Sequence, residues 1–418
     1  MHKPTTELIE KTLEKLAQRQ QPVFPAMVPI TVGCKVIYRN YCSVVAVDAA
    51  AGSIEWKSMT VAGLDALLCD ANKKDDLRSW LTRYGDQSQE NILFESSMIG
   101  TLSADHDRVY AIDDLALPAH PSGFVNQLFG FGEPAQAMLS TVNRSRLVAI
   151  NLETGKIDWE RGQPVFDRSE LADSYFLGPP LPVAGMLYVM TEKKGDLQLA
   201  CLNPEDGKPL WVMKLDKAGE ELAKDVRRRL HAVQLAYATG FLVCPTHDGT
   251  IFGIDPAMRR IKWAFAYREK VKPPADKGKR AIAPVLVDPK DLLGDWKFPG
   301  PVIHGDKVVF TAPDSKAIYC LNLKDGALFW KAEQRDDLYV AGIFQGKVLV
   351  VGKQSCRALN LTDGGKQLWQ SATGLPSGIG FASAANYFLP LRKGKVIAVE
   401  VASGRIVAES SGGEEVPG

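Results

Sequence analysis

A short unit, IYCLNLKDGALFW at Ile318–Trp330, recurs along the chain and constrains its fold more than any other feature. It reads as a β-hairpin: a strand-forming run, a KDG corner, and a second strand that ends on a large aromatic residue. Gly326 stands where a tight turn needs positive φ, a conformation that glycine adopts without steric cost. Further copies are VVAVDAAAGSIEW (Val44–Trp56), LVAINLETGKIDW (Leu147–Trp159), LACLNPEDGKPLW (Leu199–Trp211), IFGIDPAMRRIKW (Ile251–Trp263) and CRALNLTDGGKQLW (Cys356–Trp369). A last copy, VIAVEVASGRIVA (Val396–Ala408), carries alanine in place of the tryptophan. Asp48–Trp56, Asn151–Trp159, Asn203–Trp211, Asp255–Trp263 and Asn322–Trp330 share an eight-residue interval, and Asn360–Trp369 adds one residue at Gly364-Gly365. The fourth copy puts Arg259 where the turn glycine belongs.

Two more short strands precede each hairpin, as in GPVIHG then KVVFTAP, with Gly185, Gly305 and Gly346 marking the first turn. A four-stranded unit cannot bury both its faces alone. Stacking such units around an axis does, and leaves only short edges. The expected fold is therefore all-β: a β-propeller of four-stranded antiparallel blades, seven counted, or eight if the chain is a fragment. The predicted blades lie at about 25–57, 98–160, 176–214, 231–267, 300–331, 338–370 and 378–409, within a propeller spanning 25–410. An N-terminal amphipathic helix and linker, 1–24, precede it, with Ile9, Leu13 and Leu16 on one side, and a tail, 411–418, follows. An open ring edge would invite association.

The pattern A-x-D-x-x-x-G-x-x-x-W, as in Ala46, Asp48, Gly52 and Trp56, resembles the tryptophan-docking motif of quinoprotein-type β-propellers. That family holds the pyrroloquinoline-quinone alcohol dehydrogenases and a non-enzymatic branch that includes the propeller lipoprotein of bacterial outer-membrane barrel assembly. The resemblance runs from about Pro25 to Ala408 and implies a docking role, stacking on the neighbouring blade, for Trp56, Trp159, Trp211, Trp263, Trp330 and Trp369. It also implies a periplasmic or extracellular site of action if the chain is truncated, since the segment MHKPTTELIEKTLEKLAQRQQ lacks the apolar core of a secretory signal and reads as cytoplasmic as written. Such a motif speaks strongly for fold and weakly for function.

Fifty Lys+Arg against 49 Asp+Glu give no global basic field, so nucleic acid is not an expected partner, and no apolar run is long enough to span a membrane. The seven cysteines include no C-x-x-C and no adjacent pair, and the six histidines show no paired metal spacing. Asp105, Asp107, Asp113 and Asp114 cluster without calcium-loop spacing, and His247-Asp248 falls in a turn of the fourth blade. The dehydrogenases of the resembling family add a disulfide between adjacent cysteines and a calcium ion held by carboxylate and amide oxygens beside the quinone, which this chain has no motif to match.

Four insertions interrupt the repeats: Lys57 to Met98, Leu115 to Asn143, Val212 to Leu230 and Ala264 to Pro299. All follow a second or fourth strand, so they are expected on one face, opposite the tight turns. Asp75 to Tyr84 and Lys217 to His231 read as helices, the latter with Leu222, Val226 and Leu230 in register. The candidate partner-binding face is Trp80, Arg83, Arg227, Arg228, Arg229, Arg268, Lys270, Lys272, Lys279 and Arg280. The function expected is a non-catalytic scaffold that binds a protein or other macromolecule, with no catalytic residues, no metal and no cofactor. Two alternatives stand beside it: a pyrroloquinoline-quinone dehydrogenase using calcium, and a small-ligand sensor or hydrolase using the central funnel.

Overall fold

Each repeat forms one antiparallel meander whose four strands lie in chain order, and the computed structural model holds seven such sheets. It describes residues 1–19, 21, 23–120, 138, 141–163, 167–268 and 296–411. The fold is a seven-bladed β-propeller. The chain divides into two compact units, one holding Met1–Val23 and Met27–Val233, the other Phe24–Ala26, Gln234–Arg268 and the chain from 296 onward.

The first unit carries three sheets, beginning with Ile30–Val32, Lys35–Arg39, Ser43–Asp48 and Ile54–Met59. The second sheet is Leu102–Ala104, Arg108–Asp113, Arg146–Asn151 and Ile157–Arg161, and the third Leu181–Val183, Met186–Lys193, Asp196–Leu202 and Pro209–Lys217. The short strand Tyr175–Phe176 adds to the third sheet against Thr191 and Glu192. The second unit carries the other four sheets, which start at Ala236, Pro301, Asp337 and Phe381.

The repeated residues have repeated jobs. The Asp or Asn side chain closes its own turn: Asp48 Oδ1 accepts the amides of Ala50 and Ala51, and Asn151 Oδ1 those of Glu153 and Thr154. The turn glycine donates its amide to the backbone carbonyl of that same residue. Each Trp pairs across the hairpin with a small residue: Ala46, Ala149, Cys201, Gly253, Cys320 and Ala358 face Trp56, Trp159, Trp211, Trp263, Trp330 and Trp369. Cys201 and Cys320 are thus small residues with an aromatic opposite. Directly after the small residue the ladder slips by one position in all seven sheets.

Five of the tryptophans reach forward to the next sheet. The indole N–H groups of Trp56, Trp159, Trp263, Trp330 and Trp369 donate to the carbonyls of Leu152, Pro204, Leu323, Leu361 and Val401 at 2.8–3.1 Å. Each acceptor directly follows the turn-closing Asn, or Glu400 in the last repeat. The rings lie on the glycines of the same turns: a Cβ built on Gly155 would stand 2.7 Å from Trp56, and one on Gly207 2.5 Å from Trp159. The turn glycine is therefore required twice, for positive φ and for contact with a ring.

Helix α1, Lys3–Gln18, buries Ile9 and Leu16. The first insertion forms α2 (Leu64–Cys69), α3 (Lys74–Asp86), a 3₁₀ turn (Glu90–Phe94) and α4 (Ser97–Gly100). The helix expected over Lys217 to His231 shrinks to α5, Val226–Leu230, because the last strand of the third sheet continues to Lys217. Leu222, Val226 and Leu230 are nonetheless all buried. Among the described residues no helix is long and apolar enough to cross a membrane.

Gly207 and Gly185 separate the two demands on glycine, since both have positive φ (66° and 74°) but nothing lies within 4 Å of a Cβ at Gly185. Gly185→Ala should cost about 1–2 kcal/mol from backbone strain alone. Gly207→Ala should lose roughly 1–3 kcal/mol more through displacement of Trp159. Urea unfolding of both variants checks the order.

Candidate functional site: the helical layer of the first unit

The described parts of the first unit's insertions share a core with α1. Ile9 and Leu16 pack with Leu64 and Leu67 of α2, Leu77, Trp80 and Tyr84 of α3, Leu93, Leu117, Val142 and Leu230 in one apolar cluster. Specific polar contacts then fix the pieces. Asp65 of α2 accepts the His2 amide at 2.7 Å and the Thr5 hydroxyl at 2.7 Å, so it caps α1 from outside the helix. Burial pushes the Asp65 carboxyl up, but the hydrogen bonds from Thr5 and His2 outweigh it and hold it below the usual range. Arg19 pairs with Glu90 at 2.6 Å, and Ser97 Oγ both donates to the Leu230 carbonyl and accepts the Ala232 amide.

Beneath this layer runs a set of buried ion pairs. Asp113, at the end of the second strand of its sheet, accepts Arg39 at 3.3 Å and Arg146 at 2.7 Å, together with the amides of Val61 and Ala62. Asp114 accepts Arg229 Nε at 3.1 Å and Nη2 at 2.5 Å, a bidentate pair, while Arg229 also donates to the carbonyls of Thr141 and Val142. The same guanidinium sits 5.4 Å from the centre of the Tyr175 ring. Arg228 pairs with Glu192, which also accepts the Leu222 amide at 2.8 Å. Burial pushes the Glu192 carboxyl up, against the pull of Arg228. His120 is buried edge-on to Tyr84, and burial, helped by Arg83 and opposed by Asp86, lowers its pKa to about 4.

This geometry corrects the candidate face in three places. Trp80 is 5% exposed and belongs to the apolar cluster, and Arg228 and Arg229 are buried at 4% and 2%, spent on Glu192 and Asp114. An amphipathic spacing cannot tell a face turned to solvent from one turned to another insertion, hence the error. Arg83 and Arg227 are half-buried. Arg268 is exposed in the second unit, where it pairs with Asp314 at 2.9 Å and Asp248 at 3.3 Å. Lys270, Lys272, Lys279 and Arg280 lie outside the described residues. Asp248 and His247 are buried in their turn. The sequence marks Asp113 and Asp114 only as part of an aspartate cluster, and Arg39 and Glu192 not at all. Their one signal is a carboxylate or guanidinium ending an apolar strand, and only pairing makes it readable.

The family model described as outer membrane protein assembly factor BamB matches residues 43–264 and 248–415. The chain belongs to this family. Among solved structures it is similar to BamB from Moraxella catarrhalis (11% identity, TM-score 0.50, covering 86% of this chain and 79% of that one). It is likewise similar to a europium-containing methanol dehydrogenase (11%, 0.51, 92% and 78%) and to quinohemoprotein alcohol dehydrogenase from Comamonas testosteroni (12%, 0.51, 94% and 68%). At such identities the likeness is one of fold. No curated protein matches the chain. The family's fold thus serves both assembly factors and dehydrogenases. No two cysteines are adjacent in the sequence, and Asp113, Asp114, Glu192, Asp314 and Asp337 are each engaged by an arginine. Among the described residues no three His, Cys, Asp or Glu side chains gather as metal ligands.

Two expectations follow. Arg229→Ala leaves Asp114 buried and unpaired and should cost about 3–5 kcal/mol, whereas Arg227→Ala should cost under about 1 kcal/mol. Joint replacement, Arg229→Met with Asp114→Leu, should recover most of the loss in thermal unfolding. His120 has a folded pKa below its unfolded value, so the stability of its neutral ring is complete above about pH 6.5. It falls away as the pH drops toward 4. His120→Phe should flatten that part of the stability profile between pH 7 and 4.

Proposed function

We propose that the protein is a non-catalytic scaffold that binds a protein partner through the outer surface of the helical layer of the first unit. The observation that carries this reading is the shared core: α1 and the described parts of the three insertions of this unit pack in one apolar cluster. A rigid scaffold that orders its embellishments in this way presents a preformed surface, which lowers the cost of association. The outward positions that remain after burial include Lys11 and Lys15 of α1 and Arg78 of α3, with Met59 and Val61 exposed at the start of the first insertion. A pre-organised surface of mixed polarity suits recognition of a folded partner at an interface that is not obligate.

Membership in a family described by an assembly factor supports the same reading. The engaged carboxylates weigh against the dehydrogenase alternative, since each would have to release its arginine before it served a cation or a proton transfer. Within the first unit, Arg228 and Arg229 in turn hold α5 in register.

Site-specific photo-crosslinkers at Lys11, Lys15 and Arg78 should capture a discrete protein partner in cells. The same group at Lys208, an exposed position in a tight turn of the third sheet, should not capture that partner. Equal capture from Lys208, or none from the three layer positions, would count against the assignment.

A further inference from the structure

The turn of the first sheet is built like the turns that carry a tryptophan ring, yet it carries none. Asp48 Oδ1 accepts the amides of Ala50 and Ala51, the Gly52 amide donates to the Asp48 carbonyl at 2.9 Å, and Gly52 has φ +67° beside +68° at Gly155. Gly155, Gly207, Gly326, Gly365 and Gly404 are all buried beneath an indole. Gly52 is exposed, with nothing among the described residues within 4 Å of a Cβ built on it. The carbonyl of Ala49 holds the place of the five indole acceptors, directly after the turn-closing residue. Ala49, Ala50 and Ala51 are exposed and leave the flanks of the turn bare.

We infer that Gly52 and the Ala49 carbonyl form a binding site for an indole, filled by a tryptophan side chain of a partner protein. The ligand chemistry follows from the molecule itself, where the same frame takes a flat ring on the glycine and an N–H on the carbonyl five times. The source follows from the inventory. Of the eight tryptophans, five lie on a glycine of the next sheet's turn, Trp80 and Trp296 are buried in other cores, and Trp211, half-buried, faces Cys201 and lies 6.0 Å from the Tyr188 ring. None of the eight is exposed, so a second copy of the chain offers no exposed indole. This site goes beyond the surface proposed above, because it lies at the opposite ends of the strands of its sheet from the helical insertion, at the turn between Asp48 and Ile54.

The test uses the full chain and 5-fluoro-N-acetyltryptophanamide as probe, read by ¹⁹F line broadening. Broadening should occur with the unmodified protein and be lost in Gly52→Asn, since asparagine tolerates the left-handed turn while its side chain covers the site. Gly33→Asn, at φ +57° with similarly open space, is the matched control and should keep the broadening. N-acetylphenylalaninamide, which lacks the N–H, should compete at least tenfold more weakly than N-acetyltryptophanamide. Should Gly52→Asn fail to fold, Ala50→Lys fills the flank and leaves the glycine in place. No broadening, equal broadening in the Gly52 or Ala50 variant, or equal competition by phenylalanine would overturn the inference. Self-association abolished by the same variants would also overturn it, by making a second copy the occupant. Crosslinking from the helical layer is unaffected by these outcomes, so the two readings fail separately.

Discussion

The whole architecture depends on one contact, an indole laid on a glycine with its N–H on the next carbonyl. An aromatic side chain of this size removes roughly 200 Å² from water, about 5 kcal/mol as an upper bound. The hydrogen bond adds about 1 kcal/mol and, more to the point, satisfies the one polar atom of the ring. Direction is the larger gain. Trp56 belongs to one hairpin and packs among Val109, Ala111, Val148 and Ile150 of the next sheet, so the first repeat sets the position of the second. Trp159, Trp263 and Trp330 do the same in their own clusters.

That contact explains residues whose identity would otherwise look arbitrary. The small residue opposite each Trp makes room for it, and at Gly253 even a methyl group would overlap Trp263. The one-residue slip beside it adds local twist where the ring must turn toward its neighbour. A further charge pattern reinforces the same joint: Lys35 pairs with Glu55 of its own sheet and Glu153 of the next turn, and Arg108 repeats this with Asp158 and Glu205. These pairs are partly exposed, and their stabilising effect is modest. Their value lies in registering one sheet against the next.

How much of this was legible depends on whether the information is local. The hairpin needs only its own residues, so the strands, the turn glycines and the blade count are readable from spacing, as is the existence of α3 around Trp80. The helical layer is not local. Leu222 and Val226 show the apolar spacing of a helix, yet the chain at Leu222 reaches the core without being helical, because Glu192 holds its amide. Arg228 and Arg229 read as a basic surface from sequence, since nothing near them in the chain reveals carboxylates at positions 192 and 114. A charge is read as solvated until its partner is found, and long-range pairing is what a repeat pattern cannot display.

Departures from the repeat are therefore the informative residues. The ends of the second strands illustrate this, because equivalent positions carry quite different chemistry: Asp113 and Asp114 in the second sheet, Thr191 and Glu192 in the third, Thr246 and His247 in the fourth. A repeat held only by the indole contact has no need of charge there. Buried carboxylates cost folding energy unless a guanidinium meets them, and an apolar substitute is often as stable. What the charged pairs supply is a unique seat. Arg229 can satisfy Asp114 and the carbonyls of Thr141 and Val142 in only one placement of α5, whereas leucines would tolerate sliding. A surface that must meet a partner in one geometry requires that kind of seat, and the first unit places its pairs directly beneath the only helical layer among the described residues.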